Sequence, residues 1–155
     1  FFEKITGNIP FVLEPGNIKI DVYKDSLRSS KISGTKSNKD WIDYLAETQP
    51  YTSELNNIQI EINQSLRLGD SVLIYDLEEQ FIDMRSKLVD YEFLFMNNRK
   101  ESYISALILQ RMIFERSIDY DKADSILNTF DKTLENTNPY VSVRNIIDNY
   151  KLPII

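Results

Sequence analysis

The 155-residue sequence contains no cysteine and no histidine. Without cysteine there are no disulfides, thiol nucleophiles, thiolate metal sites or thiol redox chemistry. Without histidine, the usual general base near neutral pH and the commonest transition-metal ligand are missing. No apolar run is longer than ALIL at 106–109, far short of the roughly 20 residues that span a bilayer. Clustered basic residues are missing too. Arg67, Arg85, Lys87, Arg99 and Lys100 are scattered through a chain of formal net charge −6. A phosphate backbone is bound by grouped lysines and arginines that release counterions, so nucleic acid is not an expected partner. There is no convincing internal repeat, no low-complexity segment and no signal-peptide pattern.

What is present suits one folded domain. Nine tyrosines and eight phenylalanines fill a core with few residues, and a chain of this length buries roughly 70% of the surface it exposes when unfolded. The stretch PFVLEPGNIKI, residues 10–20, reads as two short strands joined by a tight turn. Pro15 and Gly16 occupy the central positions of a type II turn, where proline presets the first φ and glycine accepts the positive second one. Beyond it, Ile18, Ile20 and Val22 alternate with Lys19, Asp21 and Tyr23, the pattern of a half-buried strand. A third strand, SKIS at 30–33, follows a polar loop.

From Asn38 onward the pattern is helical. Ser37 or Asn38 is the expected N-cap, with Asp40 near the first turn. Trp41, Ile42 and Leu45 give an apolar face, and Pro50 is expected to end or kink this helix. A second helical piece carries Leu55, Ile58, Ile62 and Leu66, with Gly69 as its break. Ile74, Leu77, Phe81, Met84, Leu88, Tyr91 and Phe95 then alternate spacings of three and four, a heptad seam. This seam suits either a coiled-coil homodimer or packing within the chain, and the other amphipathic segments favour the second. Asn97 and Asn98 close that helix. Helices over about 101–116, 120–135 and 139–150 complete the pattern. The expected fold class is α+β and mostly helical. Antiparallel strands of an incomplete small sheet occupy 1–36, a bundle of about five to six helices occupies 37–150, and 151–155 is a tail or linker.

Two motifs at fixed separation, Leu13-Glu14-Pro15-Gly16-Asn17-Ile18 and Gly34-Thr35-Lys36-Ser37-Asn38, together with the helical SYISALIL at 102–109, carry a family resemblance. The chain resembles the uncharacterised N-terminal domain that precedes thioredoxin-like (TlpA/AhpC-type) disulfide reductase domains in envelope proteins of Gram-negative gut bacteria. The resemblance implies further strands upstream of Phe1, a CxxC-bearing domain after the helices, and a periplasmic or outer-membrane-anchored lipoprotein location. Its implied partner is a protein or a linked thioredoxin-like domain. Any thiol chemistry would belong to that domain, because this chain has no cysteine.

Several residue groups invite sharper readings. Asp119, Asp121 and Asp124 superficially suggest a calcium loop, but the sixth and twelfth positions counted from Asp119 hold Asp124 and Phe130 instead of Gly and Glu. Helix N-terminal carboxylates explain the group better. Glu78, Glu79 and Asp83 share a helical turn, as a two-carboxylate hydrolase or di-metal site requires, yet no histidine or matching pair accompanies them. Asn63-Gln64-Ser65 fits the glycosylation pattern but lies in a helical segment. Tyr23, Tyr44, Tyr51 and Tyr103 could line a ligand groove or serve as core and rim. No catalytic, cofactor-binding or metal residue is assigned, and no cofactor is expected. The expected function is a non-enzymatic accessory or interaction domain. The alternative is a small-ligand or glycan-binding module of the envelope.

Overall fold

The computed structural model describes residues 8–23 and 30–151. The polar loop, the LPII tail and any strand upstream of residue 8 lie outside the described residues. The fold is α+β and mostly helical, as expected. Two strands, β1 (Lys19–Asp21) and β2 (Lys31–Ser33), pair antiparallel with Ile20 opposite Ile32. The EPGN turn does not join two strands, contrary to expectation. Residues 10–14 form an extended strap outside the sheet, and β1 pairs with the later SKIS segment. The physical reason is competition for the strap's backbone. Val12 gives its N–H to Asn38 Oδ1 and its carbonyl accepts from Asn38 Nδ2, both at 2.8 Å. A side chain stands where a neighbouring strand would.

The first helix, α1 (Lys36–Leu68), runs unbroken through Pro50. Proline removes one interior donor and crowds the carbonyl four residues back. That carbonyl belongs to Ala46, and both Ala46 and Pro50 lie on the exposed face, so water can satisfy it. On either side of Pro50 the hydroxyls of Thr48 and Thr52 bond back to Tyr44 and Thr48 carbonyls at 2.7 and 3.2 Å. The Trp41 and Leu55 segments, read above as two helices, are therefore one. Gly69 ends it in the left-handed conformation at φ 73°, which glycine adopts without a Cβ penalty. Asp70 begins α2 (Ser71–Asn98) by accepting the Leu73 N–H at 3.1 Å.

A two-residue turn makes α1 and α2 an antiparallel hairpin. The heptad seam faces α1: Leu77 packs with Ile58 and Ile62, and Phe81 and Met84 border them. Packing within the chain thus takes this seam. At the other end of the hairpin lies the main core. Helix α3 (Tyr103–Phe114) runs through its middle, with Ala106, Leu109 and Met112 fully buried. Around it pack Phe95 and Met96 of α2, Ala123 and Leu127 of α4 (Tyr120–Leu127), and Val143 and Ile147 of α5 (Asn138–Lys151). The helix expected over 120–135 stops at Leu127, followed by a 3₁₀ turn at Lys132–Leu134. Asp131 diverts the chain. Its N–H donates to the Lys100 carbonyl at 3.1 Å, while its carboxylate takes the Thr133 N–H and hydroxyl at 2.9 and 2.7 Å. Such local side-chain bonds offer the backbone an alternative to helix.

Candidate functional site

The two sequence motifs meet at the start of α1. Thr35 is the N-cap, but its side chain makes no capping bond. The cap comes from across the chain: Glu14 accepts the Ser37 N–H at 2.9 Å and the Ser37 hydroxyl at 2.7 Å. A carboxylate there satisfies an orphan donor and faces the positive end of the helix dipole. Burial opposes the ionisation of Glu14, but hydrogen bonds from Thr35, Ser37 and the Ser37 and Asn38 backbone outweigh it. Its pKa lies below the usual carboxylate value. Asn38 is fully buried and, besides clamping Val12, donates to Thr35 Oγ1 at 2.7 Å. Ser37 and Asn38, expected as caps, instead receive the strap. Gly34, at φ 104°, lies so close to the Asn17 carbonyl that a Cβ would come within 1.8 Å of its oxygen. EPGN and GTKSN are two halves of one structural joint.

A second polar joint ties α3 to the hairpin. Glu92 is 1% exposed on the face that meets α1 and α3. Its Oε1 accepts from Tyr44 Oη at 2.6 Å and from Arg111 Nη2 at 2.5 Å. Arg111 also donates to Glu115 at 2.8 Å, and Arg85 reaches the same Glu115 oxygen at 2.7 Å. Desolvation and the adjacent Glu92 raise the Tyr44 pKa, so the phenol stays a proton donor. Burial works against the Arg111 charge, but Glu92 more than compensates and its pKa is raised. This is a closed donor–acceptor set holding three helices together.

Beyond this joint the hairpin continues as a two-helix arm. The thirteen α1 residues from Asn56 to Leu68 extend it by roughly 20 Å at 1.5 Å per residue. Its inner face is filled by Ile58, Ile62 and Leu77. Several large apolar side chains on its outer face and tip are uncovered: Leu68 is 84% exposed, Val72 73%, Ile82 68% and Tyr75 61%. Side chains of this kind on a projecting element mark an interaction surface better than scattered single ones do. Acidic residues Asp76, Glu78, Glu79 and Asp83 flank them.

The residues singled out in the sequence do not assemble into a reactive centre. Asp119 caps α4 by accepting the Lys122 N–H at 2.7 Å. Asp124 instead pairs with Arg144 and Lys151 of α5, each at 2.6 Å, and these contacts lower its pKa. Glu78 and Glu79 are exposed, and Asp83 pairs with Lys87 at 2.6 Å. Among the described residues no group of three acidic side chains has metal-holding geometry. In the Asn63-Gln64-Ser65 motif, Ser65 is buried inside α1. The four tyrosines share no groove. Tyr44 binds Glu92, Tyr51 stacks on Tyr91 at 6.0 Å, Tyr103 borders the strap, and Tyr23 is exposed beside β1. Sequence reasoning had Glu14 only as a motif residue and Asn38 only as a motif residue and candidate cap, and it missed Glu92 and Arg111. An acid at position 92, between Leu88 and Phe95 on the seam side, was the one available signal.

Residues 1–41 match a family model described as a domain of unknown function, DUF4369. The match holds both motifs of the strap joint and the first turns of α1. No curated protein and no solved structure matches the chain. Among the described residues no helix is long and apolar enough to cross a membrane.

Proposed function

We propose that this chain is a non-enzymatic accessory or interaction domain of a bacterial envelope protein, working beside a thioredoxin-like thiol–disulfide module. One observation carries the interaction reading: a projecting helical arm with large apolar side chains on its outer face and tip, built on a head whose polar joints are internally satisfied. Exposed apolar surface on a projecting element is what a docking element requires. The envelope location and the thioredoxin partner rest on the resemblance carried by the EPGN and GTKSN motifs. The test is photo-crosslinking in envelope preparations, with a crosslinker at Leu68 on the tip and a control at exposed Glu135 on the head. A CxxC-bearing protein captured from Leu68 and not from Glu135 is the expected result. No heterologous product from Leu68 would overturn the reading.

A second reading, binding of a small ligand or glycan, draws on the groove between the strap and α3. Its volume is about 690 Å³, and Phe11, Leu13, Tyr103 and Leu107 line it. Thermal shift against a sugar and metabolite panel separates the two. A saturable shift lost in Tyr103→Ala favours the groove.

A further inference from the structure

The joint at Glu92 closes through a single oxygen. Tyr44 and Arg111 both donate to Oε1, while Oε2 accepts no hydrogen bond among the described residues. Both oxygens of a carboxylate are acceptors, and leaving one unmet in a buried position is costly. Among the described residues every fully buried side-chain oxygen has a partner. Oε2 is therefore not sealed in, although Glu92 as a whole is 1% exposed. It opens onto the cleft that Glu92 lines between α1, α2 and α3.

That cleft has a volume of about 490 Å³, within the range of small-molecule sites. Phe81 and Leu88 give it an apolar part. Asn56 and Gln59, three residues apart on α1, bring side-chain amides that make no hydrogen bond among the described residues. Arg85 and Arg111 complete the lining. Their bonds to Glu115 and Glu92 use only some of the N–H donors an arginine carries.

Charge selects the class of ligand. Arg111 already meets the charge of Glu92 at 2.5 Å, and Glu115 meets Arg85 and Arg111 at 2.7 and 2.8 Å. An ammonium placed on Oε2 would be repelled by the adjacent guanidinium. A small anion would bring no proton to Oε2. What remains is an acceptor oxygen beside unused N–H donors. A hydroxyl serves both, giving its proton to Oε2 and accepting an N–H from an arginine or an amide. Neighbouring hydroxyls on one ring repeat this toward Asn56 and Gln59, and the ring carbons cover Phe81 and Leu88.

We infer that the cleft beside Glu92 binds a neutral polyhydroxyl molecule of monosaccharide size, with one hydroxyl donating to Glu92 Oε2. The site is separate from the groove under the strap, and it does not rest on the reading of the arm as a docking element.

The experiment is an NMR titration of the isotope-labelled chain with glucose, galactose and myo-inositol, followed at the Asn56 and Gln59 side-chain amides. The expected result is a saturable shift with at least one of the three, and none with methylammonium or inorganic phosphate. Asn56→Ala and Gln59→Ala, at exposed positions, keep the circular dichroism signal and each weaken binding by about fivefold, as for one neutral hydrogen bond. Glu92→Gln abolishes binding, because Arg111 holds the amide oxygen and a donor then faces the cleft. No saturable shift with any of the three polyols overturns the inference, as does binding indifferent to both α1 changes. Saturation by methylammonium or phosphate overturns the ligand class. Tyr103→Ala leaves the shift unchanged; its loss there would assign the ligand to the strap groove and overturn this site. Crosslinking from Leu68 is independent of all these outcomes, so a failed polyol site and a failed docking element are told apart.

Discussion

Glu92 shows what one side chain does in this molecule. A carboxylate almost wholly removed from water persists because Arg111 and Tyr44 both bond it. Removing one member strands the others, and that costs more than the network contributes as a whole. Glu92→Ala should therefore destabilise the fold by about 3 kcal/mol, while the double change Glu92→Met with Arg111→Met should cost clearly less than Glu92→Ala alone. Urea unfolding of the wild type and the two variants checks this, and a double change as costly as Glu92→Ala would show that the cost does not come from stranding a partner. The joint at Glu14 follows the same logic, with its acceptor 23 residues from its donor in sequence. EPGN and GTKSN could be seen in the sequence as motifs. Their union could not, because local propensity holds no information about a contact across that separation.

At the scale of elements, the hairpin is built from unequal halves. The head core contains fourteen buried apolar side chains and the arm cluster only three. Free energy of local opening follows buried apolar contact, so the arm should open before the head. Amides within 58–66 and 73–84 should exchange faster than those of 89–96 and 104–113. Hydrogen exchange read by mass spectrometry or NMR tests this, and equal protection along α2 would refute it. The seam, Gly69 and the bounds of α2 were legible because periodicity and a left-handed glycine act locally. Pro50 misled because the break it predicts assumes a freed carbonyl without water, whereas Ala46 faces solvent. The end of α4 at Leu127 was hidden for the opposite reason: the bond from the Asp131 N–H to Lys100 exists only once α3 and α4 have docked.

For the whole molecule, two lowered carboxylate pKa values predict acid sensitivity. Hydrogen bonds hold Glu14 below its ordinary value despite burial, and Lys151 and Arg144 do the same for Asp124. Such groups stabilise the fold at pH values above their unfolded pKa, and the contribution fades as pH falls through the folded one. Stability should therefore decline below about pH 4.5, and Glu14→Gln should flatten that decline while lowering stability at neutral pH. Thermal unfolding across pH 3–7 measures both effects; an unchanged slope would remove Glu14 from the account. The sequence by itself determined the class of fold, the heptad seam of α2 and the lack of any thiol or imidazole side chain, because composition and periodicity need no neighbours. Only the tertiary structure decided that the strap is tied by Asn38, that α1 is one helix, and that Val72, Tyr75 and Ile82 of α2 stand exposed. Each of those depends on which distant groups reach a backbone or a face first, and a linear pattern does not record that competition.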